Sequence, residues 1–151
     1  MKVLNYSHNF GENAIEAKIV EPLIDFLESL EFPILAGTSK RLRQTVEEEL
    51  QNYGWSDKVK IHYEKDLTIT SMKKNIGLCI QTGNVSRFYA DLLKLQALFL
   101  KDKIKAAIYI IPSKEASKKL GSNIANADRF IDELSIFKHI ITIPILVISI
   151  S

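Results

Sequence analysis

The chain has 151 residues, 46% hydrophobic and 25% charged, with 20 basic and 18 acidic side chains and a net charge of +2. That composition excludes a disordered tail, which needs low hydrophobicity and high charge, and a collagen-like chain, which needs far more than 6 glycines and 4 prolines. A disulfide scaffold is excluded because Cys79 is the sole cysteine. The length suits one globular domain over residues 1–151, burying about 68–70% of its unfolded surface without metal or disulfide staples.

The charge is uneven. Residues 1–31 carry two lysines against six acidic groups, a balance of −4, so the remainder carries +6. A basic body with an acidic first segment suits a polyanion on one face. The opening Met1 to Tyr6 lacks an apolar signal-peptide core, and with one cysteine the expected location is the cytoplasm. The longest apolar run, Ile140 to Ile150, is interrupted by Thr142, Pro144 and Ser149. It falls short of the roughly 20 residues that span a bilayer, so no membrane segment is expected.

The elements follow in order. Ile15, Ile19, Val20, Leu23, Ile24, Leu27 and Leu30 recur at spacings of three and four and predict an amphipathic helix from Asn13 to Leu30. Pro22 implies a kink in it or a late start. Thr38 or Ser39 reads as the N-cap of a second helix from Lys40 to Tyr53, stopped by Gly54. Three short runs, Val59 to Tyr63, Leu67 to Met72 and Ile76 to Gln81, predict an antiparallel meander whose last turn is Lys73-Lys74-Asn75. Helix three spans Val85 to Leu100, with Leu92, Leu93, Leu95, Leu98 and Phe99 forming a surface wide enough to need more than one neighbour. A buried strand from Ala106 to Ile111, short helices over Lys114 to Leu120 and Ala125 to Phe137, and a final strand from Ile141 to Ile150 complete the chain. Near-continuous Ile/Val runs alternating with helices indicate an α/β fold with a mixed sheet, its last strands parallel.

The stretch Ile76 to Arg87 carries the chemistry. Strand alternation puts Ile76, Leu78 and Ile80 on one face and Gly77, Cys79 and Gln81 on the other. Thr82-Gly83-Asn84 then turns into helix three, whose free backbone N–H groups, beside Ser86 and Arg87, suit an anion. A cysteine in an Ile/Leu strand is ordinarily a small buried hydrophobe, Asp66 reads as a turn residue, and Lys73-Lys74 reads as a solvated hairpin tip. His8, His62 and His139 lack the spacing of a zinc helix, and no P-loop, G-x-G-x-x-G or G-x-S-x-G run occurs.

In the order and spacing of this strand, the T-G-N turn with its following Ser86, the Leu-rich helix and the Ala106 to Pro112 strand, the sequence resembles the BamHI and BglII branch of type II restriction endonucleases. These belong to the PD-(D/E)XK nucleases. The resemblance implies a restriction-endonuclease-like domain with a mixed central sheet flanked by helices, acting on duplex DNA as a homodimer joined through helix three. It also implies two Mg²⁺-binding acids on adjacent strands, the later one two residues before a third group that this branch permits to be Gln. Gln81 matches that third position. Cys79 falls where the later carboxylate belongs, although Mg²⁺ wants oxygen ligands and a thiol is soft. For the earlier acid, Asp66 is the nearest candidate. A gap-free comparison instead puts His62 near its place, and a strand shift brings Asp66 or Glu64 into register. Glu48, or equally Glu47 or Glu49, supplies a supporting carboxylate from an early helix. On this reading Asp66 and Glu48 hold Mg²⁺ for hydrolysis of a phosphodiester, and Gln81 orients water or phosphate. Lys73, Lys74, Asn84, Ser86 and Arg87 face DNA. The rival expectation is a pseudonuclease that binds DNA or protein without cutting.

Overall fold

The computed structural model describes residues 1–151. Its element order is β1 (Val3–His8), α1 (Gly11–Ala14), α2 (Ala17–Ser29), α3 (Ser39–Asn52), β2 (Val59–Lys60), β3 (Thr68–Ile69), β4 (Ser71–Lys73), β5 (Ile76–Ile80), α4 (Arg87–Leu100), β6 (Ala106–Pro112), α5 (Lys114–Leu120), α6 (Ala127–Ile136) and β7 (Ile145–Ile150). No helix is long and apolar enough to cross a membrane.

Five strands form one mixed sheet in the order β1-β7-β6-β5-β4. β5, β6 and β7 run parallel, as their continuous apolar sequences predict, while β1 and β4 close the edges antiparallel. The parallel strands are buried on both faces. Ile76, Leu78 and Ile80 pack with Ile108, Ile110, Leu146 and Ile148 beneath α2 and α3, which contribute Leu23, Leu27, Leu42 and Val46. The opposite face, with Cys79, Tyr109 and Val147, lies beneath α4 and α6, which contribute Phe88, Leu92, Leu95, Phe130 and Leu134. The result is a sheet between two helical layers.

Several elements differ from expectation for identifiable reasons. β1 has no apolar alternation, since its burial runs from half-exposed through exposed residues to His8. It is held instead by main-chain pairing to β7, from Val3 opposite Ile150 to His8 opposite Ile145. The first helix breaks at Ile15, which is extended at φ −117°, and resumes as α2, with Pro22 accommodated inside it. The run from Leu67 to Met72 divides at Thr70. Thr68–Ile69 pairs with Val59–Lys60 in a separate two-stranded sheet, and Ser71–Lys73 joins the main sheet beside β5. The last strand starts after Pro144, which removes a ladder donor.

The β4–β5 connection is one residue shorter than the three-residue turn expected. Lys73 pairs with Ile76, leaving Lys74-Asn75 as the turn, with Lys74 left-handed at φ 53°. Because strand side chains alternate, a one-residue change of register changes which residue of the neighbouring strand meets Cys79.

Gly11 shows how tightly the helical layer seats on β7. A Cβ there would lie 2.1 Å from the carbonyl carbon of Ile145 and 2.2 Å from its oxygen, a contact with backbone that no rotamer change relieves. Gly11→Ala is expected to cost roughly 3 kcal/mol, read as a lower urea midpoint at unchanged slope. A wild-type midpoint in that variant would show that α1 does not bear on β7.

Candidate functional site

Gln81 is the first residue past the end of β5, and its N–H donates to the Ile110 carbonyl at 3.0 Å, closing the parallel ladder. Its side chain is buried and both ends are engaged. Oε1 accepts from the Gly83 N–H at 3.0 Å, and Nε2 donates to Asp91 Oδ2 at 2.8 Å. The same Asp91 oxygen accepts from the Tyr109 hydroxyl at 2.9 Å, and Lys94 approaches Oδ1 at 3.4 Å. Tyr109 is stacked on Phe130, with ring centroids 4.2 Å apart and planes at 15°, so its hydroxyl is held in place. Asp91 was not among the residues singled out from sequence. Its signal was helical spacing, since it follows Arg87 by four and precedes Lys94 by three on α4.

The turn after Gln81 is pinned on two sides. Thr82 Oγ1 donates to the Ser39 carbonyl at the start of α3 at 2.8 Å. Ala125 N–H donates to Gly83 O at 2.8 Å, and Val85 N–H to Asn123 O at 2.8 Å. Asn84 Oδ1 accepts from the Ser86 backbone N–H at 2.9 Å and hydroxyl at 2.8 Å, shaping the approach to α4. The first turns of α3 and α4 are thereby brought to the carboxyl end of β5, the usual location of a ligand crevice beside parallel strands.

Between those helices lies a cleft of about 380 Å³ that includes Lys40, Arg43, Lys58, Gln81, Thr82 and Arg87 in its lining. It continues into a second hollow of about 220 Å³ that shares Arg43, Lys58, Gln81 and Arg87 and reaches Thr70, Asp91 and Lys94. The lining carries five cations against two carboxylates, Glu47 and Asp91. Both carboxylates are paired internally, Glu47 with Arg43 at 2.6 Å and Asp91 as described.

The other anticipated residues are dispersed. Arg87 is in the cleft, and Asn84 and Ser86 are exposed on the turn beside it. Lys73 and Lys74 lie at the opposite end of β5, Lys73 donating to the Tyr53 carbonyl and Lys74 exposed in the hairpin turn. Asp66 is exposed in the loop before β3 and lines neither hollow. Glu48 is exposed on α3 and lines an adjoining depression that includes Asp57 and shares Glu47, Lys58 and Thr70 with the two hollows. His62 and Glu64 are exposed on the same loop as Asp66, where the Glu64 N–H donates to the His62 ring. Asp66, Glu48 and Gln81 are therefore not gathered, and no group of three or more His, Cys, Asp or Glu side chains is positioned to hold a metal ion.

One residue beyond the registered pair Ser71–Leu78, Thr70 comes against Cys79. Thr70 Oγ1 accepts from the Ile80 N–H at 3.2 Å. Cys79 is buried among the α4-side residues. Burial, reinforced by the nearby negative charge of Asp91, pushes the thiol far above its ordinary value. The same two causes hold the Tyr109 phenol well above its ordinary value.

This arrangement of a mixed sheet between helical layers, with a cleft at the end of a central strand, is that of the restriction endonucleases. A crystal structure of restriction endonuclease BglII complexed with a DNA 16-mer superposes with a TM-score of 0.82 at 14% identity, covering 99% of this chain and 76% of that one. Free BglII gives 0.76 at 16% identity, covering 100% and 80%. Residues 4–150 match the model of the family described as restriction endonuclease BglII/BglIII, and the chain belongs to that family. No curated protein matches the sequence.

The divalent ion that this family implies does not fit the residues present. On the strand adjacent to Cys79 the facing residue is Thr70, not Asp66, Glu64 or His62, so the pair is one hydroxyl occupied by a backbone N–H and one buried, protonated thiol. Mg²⁺ requires near-octahedral oxygen ligation. The carboxylate that does reach Gln81 is Asp91, and its oxygens already accept from an amide, a phenol and a lysine.

The raised thiol and phenol predict an alkaline loss of stability. Both groups stay protonated in the folded chain, while in the unfolded chain they ionise above about 8.5 for Cys and 10 for Tyr. Their contribution is complete below those values and declines as pH rises beyond them toward the folded values. Urea midpoints followed from neutral pH to about pH 10.5 should fall, and Cys79→Ala should flatten the first part of the fall. An unchanged slope in that variant would mean the thiol is not shielded.

Proposed function

We propose that this protein binds duplex DNA through the cleft at the carboxyl end of β5 and does not hydrolyse it. The observation that carries this reading is the cleft's charge: five cations against two carboxylates, each paired with one of the five, which leaves an excess of three. A phosphate backbone is the polyanion that such a lining suits. Family membership supports the same partner, since the BglII structure it resembles is described as a DNA complex. Arg87 is assigned to phosphate, with Asn84 and Ser86 extending the contact surface along the turn. Lys73 and Lys74 lie outside it. A DNA-binding role fits the cytoplasm, where a lone free cysteine stays reduced.

Mg²⁺-dependent hydrolysis, with Asp66 and Glu48 as ligands and Gln81 orienting water, is the second reading and rests on the family alone. The two separate in one assay. Plasmid and mixed genomic DNA incubated with Mg²⁺ or Mn²⁺ should remain uncut, while binding to the same DNA weakens steeply with salt, by roughly 0.9 in log–log slope per phosphate contact. Cleavage abolished by Asp66→Ala or Gln81→Ala would establish the second reading and sink the first.

The protein is also proposed to act as a homodimer through the outer face of α4. Leu95 is fully buried against the sheet, so the free part of the wide apolar face is the groove formed by Tyr89, Leu92, Leu93, Phe137, Ile140 and Ile141. Leu93 and Ile140 remain 64% and 65% exposed, an apolar surface of the kind that marks interaction sites. Sedimentation at micromolar concentration should give a dimer that Leu93→Glu converts to a folded monomer. A wild-type monomer refutes the assignment.

A further inference from the structure

We infer that the cleft is a metal-independent clamp for a backbone phosphate of duplex DNA, in which Arg43, Lys58 and Arg87 supply the central positive charge. The inference rests on the DNA-binding reading and adds which groups hold the phosphate and that no divalent ion takes part.

Three observations converge on it. First, Arg43, Lys58 and Arg87 come from α3, the segment before β2 and α4, yet line both hollows and so surround one volume. Second, they have capacity to spare. Lys58 and Arg87 form no ion pair, and Arg43 meets Glu47 through Nε alone, leaving its terminal amino groups without a protein partner. The Arg87 guanidinium lies beside Gly83, where a Cβ would come to 3.5 Å from Nη1. Third, the two carboxylates that line these hollows are already engaged. Asp91 is bound by Gln81, Tyr109 and Lys94, and Glu47 by Arg43.

A volume lined by guanidinium and ammonium groups, with its carboxylates internally neutralised, repels a divalent cation and attracts an oxyanion. The geometry also suits a polymer over a free ion. The two hollows adjoin through shared residues between α3 and α4, and Lys40 in one and Lys94 in the other extend the charge beyond the three central cations.

The test is fluorescence anisotropy of a labelled mixed-sequence duplex with the full chain, in EDTA and again with Mg²⁺ or Ca²⁺ at matched ionic strength. The dissociation constant should be the same in both conditions. Lys58→Ala with Arg87→Ala should weaken binding about tenfold or more and lower the salt slope by roughly 2, with the thermal midpoint unchanged because both side chains are exposed. Lys74→Ala, at the far end of β5, should bind as wild type. Calorimetric titration with Mn²⁺ alone should show no binding.

Wild-type binding that requires a divalent ion, persists unchanged in the double variant, or accompanies Mn²⁺ uptake overturns the clamp and leaves DNA binding standing. Tighter binding of inorganic phosphate than of the duplex, in calorimetric titration at matched ionic strength, overturns the assignment to backbone phosphate. Absence of any wild-type binding in both conditions overturns the DNA reading and the clamp together.

Discussion

Strands β5, β6 and β7 have to be apolar on both faces, and the site is a consequence of that constraint. Every residue of Ile76–Ile80 and Ala106–Pro112 is buried, so a polar side chain within them needs an internal partner or costs about 1–3 kcal/mol. Polar chemistry is displaced to the strand ends. At the carboxyl end of β5 the ladder finishes with the Gln81 N–H, and the chain turns within three residues, held to α3 by Thr82 and to the 123–125 segment by Gly83 and Val85. The beginnings of α3 and α4 are drawn to one spot, and their arginines with them.

Tyr109 is the exception within the strands, since it puts a hydroxyl into the α4-side core. Asp91 is what makes it tolerable. Its Oδ2 accepts from both Tyr109 and Gln81, so one carboxylate satisfies the single polar group of the strand and the first polar group past it. Hydrogen bonds to a charged group contribute about 1.5–3 kcal/mol each. A metal ion taking Asp91 as ligand would forfeit much of both and strand two buried donors, while Mg²⁺ sheds its own water reluctantly. The network therefore works against metal binding as well as for stability. The fold of the family is retained, and the polar groups at the end of β5 are engaged with one another.

Much of this was legible from sequence because it depended on long apolar patterns. The alternation of Ile76, Leu78 and Ile80 against Gly77, Cys79 and Gln81 correctly separated the two cores, and the Leu-rich helix lies where its spacing put it. Short polar segments were not legible. β1 carries no periodicity because it is recruited by β7 rather than by burial. The position opposite Cys79 depended on whether the hairpin turn held two residues or three, a difference that composition does not express. With a two-residue turn it is Thr70 and with three it would be Ile69, so neither register brings up Asp66, which lies in an exposed loop. Asp91 was hidden for a different reason: one acidic residue on a helix resembles a solvent-facing charge until the strand it covers is known to carry Tyr109 and Gln81.

The near-cancelled net charge acquires a spatial meaning from the fold. All six acidic groups of residues 1–31 are exposed, from Glu12 through Glu21 and Asp25 to Glu31, and none lines the basic cleft. The cations that do line it come from three later parts of the chain, and their charges lie close enough together to add. At physiological ionic strength fields fade over about 8 Å, so a polyanion close to the surface responds to the local patch and not to the total of +2. The acidic segment contributes nothing to the lining of that patch. Separation of sign along the chain becomes separation of sign in space because α2 packs on the sheet by its apolar stripe, leaving its carboxylates nowhere to go except outward.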